Sequence, residues 1–86
     1  MTTLSVTVNN PSGLHARPAA SFSQFCNTFS NIITLIYEGI EIDPKSIILL
    51  MSSGIRQGAV LEVCVRGDDH ERVCNKIIDY IKNLQD

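Results

Sequence analysis

The sequence predicts an α+β fold: a four-stranded antiparallel sheet covered on one face by helices and open to water on the other. Three observations predict it. Strand-like and helix-like segments alternate in the order β-α-β-β-α-β-α. The two β-α-β crossovers should be right-handed and return to the same side of the sheet. If each skips one strand position, the strands interleave and all neighbours run antiparallel. Finally, the polar strand residues Thr3, Ser5, Thr7, Thr34, Glu41 and Glu62 form one water-facing set.

Leu4, Val6 and Val8 alternate with Thr3, Ser5 and Thr7, the pattern of a half-buried strand. Residues 9–13, Asn-Asn-Pro-Ser-Gly, read as a loop. Ala19, Phe22, Cys26 and Phe29 recur at steps of three and four, so a helix runs to about Thr28. Ile32–Tyr37 and Ile40–Ile42 are β-rich and meet at the turn Glu38-Gly39. Ile33, Leu35 and Tyr37 should face inward. Asp43-Pro44-Lys45-Ser46 stops that hairpin and starts a two-turn helix, Ile47–Ser53, ended by Gly54. Val60–Arg66 is the fourth strand, with Leu61, Val63 and Val65 inward. Asp68 and Glu71 have the spacing of a capping box. The closing helix then runs to about Gln85 and buries Val73, Ile77, Ile81 and Leu84.

Composition narrows the function. With 86 residues, 44% of them apolar and 19% charged, the chain is predicted to fold as one domain over residues 1–86. A net charge of −2 argues against a nucleic-acid or anionic-membrane binder. No apolar run approaches the ~20 residues that cross a bilayer. The start, MTTLSVTVNN, alternates and has no basic leader, so a cytoplasmic protein is expected. Cys26, Cys64 and Cys74 are odd in number and form no CxxC. They read as reduced thiols, two of them filling core space, and no metal site or cofactor is expected.

One stretch is chemically distinctive: "SGLHARPAA", Ser12 to Ala20. It holds Arg17, the only charged side chain before Glu38, and one of two histidines. With His15 at the loop–helix boundary, the helix starts at Ala16 and Pro18 falls in its first turn. A missing N–H costs nothing there, since first-turn donors have no intrahelical partner. The remaining free N–H groups and the helix dipole favour an anion. Arg17 adds a planar fork suited to phosphate, and Gly13 relieves the turn into the helix. These parts describe an anion site, or a histidine that carries a phosphoryl group. A surface His and a first-turn Arg with no special role are the ordinary alternative.

"GLHARPAA" (Gly13–Ala20) resembles the active-site motif of the HPr family, histidine phosphocarriers of the bacterial phosphotransferase system. "KSIILLMSSGIRQGA" (Lys45–Ala59) resembles that family's second motif, which surrounds a regulatory serine. The likeness covers essentially the whole chain. It implies strand order 1-4-2-3. It implies that His15 takes a phosphoryl group on Nδ1 from enzyme I, itself charged by phosphoenolpyruvate, and passes it to enzyme IIA domains of sugar permeases. The backbone at Ala16 and Arg17, with the Arg17 side chain, would hold the phosphate. The protein would be a monomeric, stoichiometric carrier and not a catalyst, binding no nucleic acid and inserting in no membrane. Ser46 would be a phosphorylation site for an HPr kinase/phosphorylase, linking the protein to a catabolite-control transcription factor. A plain N-cap role also satisfies Ser46.

"IILLM", residues 47–51, covers every side of a helix that advances about 100° per residue. Leu50 and one neighbour should be buried. Ile47, Ile48 and Met51 should form the apolar centre of a docking face, with Arg17 and Lys45 at its rim. The sequence departs from many HPr relatives in the first helix, where Ser21, Gln24, Asn27 and Thr28 replace lysines. Nearby basic residues reduce to Arg17, Lys45 and Arg56. Leu49 and Ser53 are likewise unusual. Two rivals remain at this stage. One is an HPr-like regulator of nitrogen or carbon control. The other is an acylphosphatase-type enzyme using Arg17 with Asn9 or Asn10, which leaves His15 idle. His70, among Asp68, Asp69 and Glu71, reads as a solvated residue of the last helix cap.

Overall fold

A computed structural model describes residues 1–86. Strand β1 (Thr2–Thr7) leads to helix α1 (Ala16–Cys26). The hairpin β2 (Ile32–Tyr37) and β3 (Ile40–Ile42) follows, then the short helix α2 (Ile47–Ser52), strand β4 (Val60–Arg66) and helix α3 (His70–Lys82). The sheet order is β1-β4-β2-β3 and every pair is antiparallel. Element order and sheet topology agree with the expectation from sequence.

The alternation in each strand produces this arrangement. Leu4 and Val6 sit opposite Val63 and Leu61, and Leu35 pairs with both Val63 and Ile42. These residues point to the helix side, where Val6, Leu35, Leu61 and Val63 join one core with Phe22, Leu50 and Ile77. Full burial of a side chain such as Phe22 contributes about 2–3 kcal/mol. α3 packs on β1 and β4, and α2 packs on α1. The α1–α3 seam is aromatic: Tyr80 stacks on Phe25 with centroids 4.5 Å apart, and its hydroxyl bonds Ser21 Oγ. The opposite sheet face carries the expected polar set, but also Ile32 and Val60, both largely exposed.

Several element ends differ from expectation, each for a local reason. α1 stops at Cys26 and not at Thr28. Asn27 donates its amide to Ser23 O and Lys45 O, and Thr28 Oγ1 donates to Phe25 O. Side chains thus take carbonyls that the next helical turn would need. Phe29 lies beyond the helix, edge-on to Phe25. α3 ends at Lys82, because the Asn83 side chain and backbone N–H both donate to Asp79 O. Leu84 is half-buried outside it.

The capping box at Asp68 does not form. Asp69 is the N-cap, in the left-handed region at φ +56°, and its side chain makes no cap bond. The turn is set from a distance: Asn31 Nδ2 donates to Arg66 O (3.0 Å) and Asp68 O (2.8 Å). His70 is not simply solvated. Its Nδ1 bonds Thr2 Oγ1, tying the start of α3 to the start of β1.

Cys26 and Cys74 are fully buried and Cys64 is half-buried on the open sheet face. Burial pushes the Cys26 thiol up to about 12, against a smaller opposing pull from the Lys45 charge. Burial also raises Cys74. Both are neutral core thiols at pH 7.

Candidate functional site

The site is built on the loop between β1 and α1. After β1 the ladder to β4 continues, with Val8 N–H donating to Ala59 O and Gly58 N–H to Val8 O. Gln57 Nε2 donates to Asn9 O. Asn10, almost wholly buried, then closes the turn. Its Nδ2 donates to Gly13 O at 2.8 Å, and its own carbonyl accepts from Gly13 N–H. Leu14 is buried, and its N–H donates to Ile55 O. The loop is therefore stitched to the segment that follows α2.

Gly13 is required at this contact. Its φ is +60°, and a Cβ there would lie 2.5 Å from Ile55 O and 2.6 Å from Arg56 Cα. Both obstacles are backbone and cannot rotate away.

This anchoring presents His15 outward. His15 occupies the N-cap position with extended backbone, φ −132° and ψ 156°, and its side chain makes no cap bond. No hydrogen bond occupies either ring nitrogen. Ala16 follows in the left-handed region at φ +51°. For an alanine this conformation costs on the order of 1–3 kcal/mol. It persists because Leu14 is anchored on one side and Pro18 and Ala19 are buried on the other. Pro18 sits in the first turn as expected. The N–H groups of Ala16 and Arg17 donate to nothing within the chain.

Arg17 is highly exposed and points toward Asp86, with Nη1 3.5 Å from Oδ2. Such an exposed pair is weak. Ser12, Ala16, Arg17, Pro18 and Asp86 line a shallow hollow beside His15. Asp86 also accepts the Ser12 N–H through its carbonyl, so the chain's last residue borders the site. An unbonded imidazole, two free amide N–H groups and a guanidinium can together receive an electrophile and hold its oxygens.

Ser46 caps α2: its Oγ accepts from Leu49 N–H at 3.2 Å. The residue before it is pinned to α1, since Ser23 Oγ and Asn27 Nδ2 both donate to Lys45 O at 3.0 Å. The far end of α2 reaches Leu14 through Ile55. α2 thus runs back along α1 from Ser23 toward His15. Ser23, bonded to the residue before Ser46, lies about 12 Å of helical rise from His15.

Of the five apolar residues in α2, Leu50 alone is buried. No second residue joins it, because the two-turn helix packs through a single face. Ile48 is 75% exposed, and Ile47, Leu49 and Met51 are also exposed. Lys45 does not stand at the rim as a free charge. Its Nζ donates to Phe29 O (2.8 Å) and Asn31 O (2.7 Å), taking up the carbonyls between α1 and β2.

Sequence reasoning missed Asn10 as the loop's clamp, Ser23 and Asn27 as the link between α1 and α2, and Asp86 beside Arg17. The only signal for Asn10 was a polar residue directly after an alternating strand.

The family model described as the PTS HPr component phosphorylation site matches residues 2–83. The phosphocarrier protein HPr of Mycoplasma pneumoniae is 38% identical over 78 residues, 90% of this chain and 89% of that protein. The HPr-like protein Crh of Bacillus subtilis is 34% identical over 77 residues, 90% of this chain and 91% of that protein. The solved structure of HPr-C-His from Thermoanaerobacter tengcongensis has a TM-score of 0.90 at 36% identity, covering 95% of this chain and 92% of that one.

Substituting Gly13 tests the stitch between the two loops. Gly13→Ala should lower stability by about 2–4 kcal/mol, combining backbone overlap with left-handed strain. Gly39→Ala is the control: φ is +78° there too, but a Cβ meets nothing within 4 Å. Its cost should stay near 1 kcal/mol. Equal losses in denaturant melts would show that the Ile55 contact is slack.

Proposed function

The chain belongs to the HPr family of the phosphotransferase system, and from that membership we propose that His15 accepts a phosphoryl group from phospho-enzyme I and passes it to enzyme IIA domains of sugar permeases. The whole chain acts as one cytoplasmic, monomeric carrier domain. The observation that carries this reading is the exposed, unbonded His15 ring beside the free N–H groups of Ala16 and Arg17. As the donor's P–N bond breaks, a P–N bond forms at Nδ1 of His15. The phosphate oxygens meet the two N–H groups and the Arg17 guanidinium. Arg17 must leave Asp86 to do so, which costs about 0–1 kcal/mol for an exposed pair. The protein is changed and restored in each cycle, so it is a carrier and not an enzyme.

A regulatory role comes second, supported by Ser46 on the same face and by the likeness to Crh. On this reading an HPr kinase/phosphorylase modifies Ser46, and the product signals to a catabolite-control transcription factor. Acceptance of the phosphate by sugar enzyme IIA domains separates the main role from a purely regulatory one. Ile47, Ile48 and Met51 form the apolar part of the docking face on either reading.

Incubation with phosphoenolpyruvate and the host's enzyme I should leave one acid-labile, base-stable phosphate, located on His15 by mass spectrometry. His15→Ala should accept none and remain folded. Arg17→Lys keeps the charge but loses the fork, and should transfer more slowly. Label retained in His15→Ala would overturn the carrier assignment.

Ser46→Asp and Ser46→Ala separate a regulatory charge from a cap. Across roughly 12 Å of water, two phosphates near −2 repel by about 1.4 kcal/mol before salt screening, a tenfold effect on transfer. A single Asp charge should slow transfer by about twofold or more relative to Ala. Equal rates would leave Ser46 as a cap only.

Ile48→Glu and Leu50→Glu test the orientation of α2. Ile48→Glu should melt like the parent yet bind enzyme I about 1–2 kcal/mol more weakly. Leu50→Glu should unfold the domain, since it places an unpaired charge in the core. The reverse pattern, or normal binding by Ile48→Glu, would move the docking face elsewhere.

A further inference from the structure

Arg17 is not the only guanidinium beside His15. A Cβ on Gly13 would stand 2.6 Å from Arg56 Cα, so the two backbones touch. His15 follows two residues after Gly13, and two residues span at most ~7 Å. Arg56 Cα therefore lies within about 11 Å of His15 Cα. An extended arginine side chain covers most of that distance, and an imidazole with its phosphate covers the rest. The Arg56 backbone is fixed on both sides. Ile55 O accepts from Leu14 N–H, Arg56 O accepts from Ala59 N–H, and Gln57 Nε2 donates to Asn9 O. The Arg56 side chain is exposed and free. The chain's two ion pairs are Arg17 with Asp86 and Arg72 with Asp69, and neither engages it.

Charge gives this side chain a role that Arg17 cannot fill alone. Asp86 stands beside Arg17, with Oδ2 3.5 Å from Nη1, and the two charges cancel. A phosphoryl group carries a charge near −2. The free N–H groups of Ala16 and Arg17 offer it dipoles but no net charge. Lys45 is tied to the Phe29 and Asn31 carbonyls at the other end of α2. Arg66 ends β4, whose first residue, Val60, pairs with the last residue of β1. It therefore lies a full strand away from the loop.

We infer that Arg56 is a second binding residue for the phosphoryl group on His15, its guanidinium meeting the phosphate oxygens and supplying the site's net positive charge. This rests on His15 as the phosphoryl acceptor. One guanidinium comes from the start of α1 and the other from the segment leaving α2. The bound phosphate then bridges the contact between Gly13 and Ile55.

The test is phosphorus magnetic resonance of protein treated with phosphoramidate, which phosphorylates histidine without an enzyme. The His15 signal is the one absent from His15→Ala. Its pH titration reads the second ionisation of the phosphoryl group. Arg56 stabilises the dianion, so Arg56→Gln should raise this pKa by about half a unit, a threefold change in the ionisation constant. Arg56→Lys keeps the charge and should shift it by less than half as much. Arg66→Gln removes the same charge at the far end of β4 and should shift it by less than about 0.2 unit. All three should melt like the parent. A shift for Arg56→Gln no larger than for Arg66→Gln, an equal shift for Arg56→Lys, or a His15 that takes no label from phosphoramidate overturns the inference. Labelling by phosphoenolpyruvate and enzyme I is followed separately. Its failure alongside the half-unit shift removes the carrier reading and leaves Arg56 as a phosphate-binding residue. Its success without the shift does the reverse.

Discussion

The backbone contact between Gly13–Leu14 and Ile55–Arg56 joins the two halves of the functional face. On one side is the loop that carries His15; on the other is the segment leaving α2. Leu14 N–H donates to Ile55 O, and the missing Cβ of Gly13 leaves room for the Ile55 carbonyl and Arg56 Cα. Without this contact the loop would keep only Asn10, the Gln57 bond to Asn9 O and the Ser12 N–H bond to Asp86 O. With it, the end of α2 and the start of α1 hold one arrangement.

The same logic operates at the other end of α2. Ser23 and Asn27, one turn apart on α1, both donate to Lys45 O. Lys45 in turn donates to the carbonyls of Phe29 and Asn31. α2 is therefore held at both ends by polar contacts and in the middle by Leu50. This lets a six-residue helix keep four of its five apolar residues toward water. It also supplies the rigidity that maintains Ala16 in a left-handed conformation, at a cost on the order of 1–3 kcal/mol. The strain sits at Ala16, between His15 and Arg17, where it orients free N–H groups instead of stabilising the fold.

Much of this was legible in the sequence because it follows from local patterns. Period-two alternation placed the strands, and Pro18 three residues after His15 placed the start of α1. The impossibility of burying all of Ile47–Met51 on two turns placed an apolar surface beside Ser46. What could not be read depends on partners distant in sequence. Asp68 has the spacing of a capping residue, but Asn31, 37 residues away, takes its carbonyl into a turn. Lys45 reads as a surface charge until α1 and β2 bring two carbonyls to its amine. His70 reads as solvated until the sheet places Thr2 beside it.

Nuclear magnetic resonance of the isotope-labelled protein, before and after phosphorylation, tests most directly the claim that the start of α1 receives the phosphate. The account predicts phosphorus coupling at Nδ1 of His15 and the largest amide proton shifts at Ala16 and Arg17. Unmoved amides at Ala16 and Arg17 with phosphate on His15, or largest shifts at Ser46 or in α3, would contradict it.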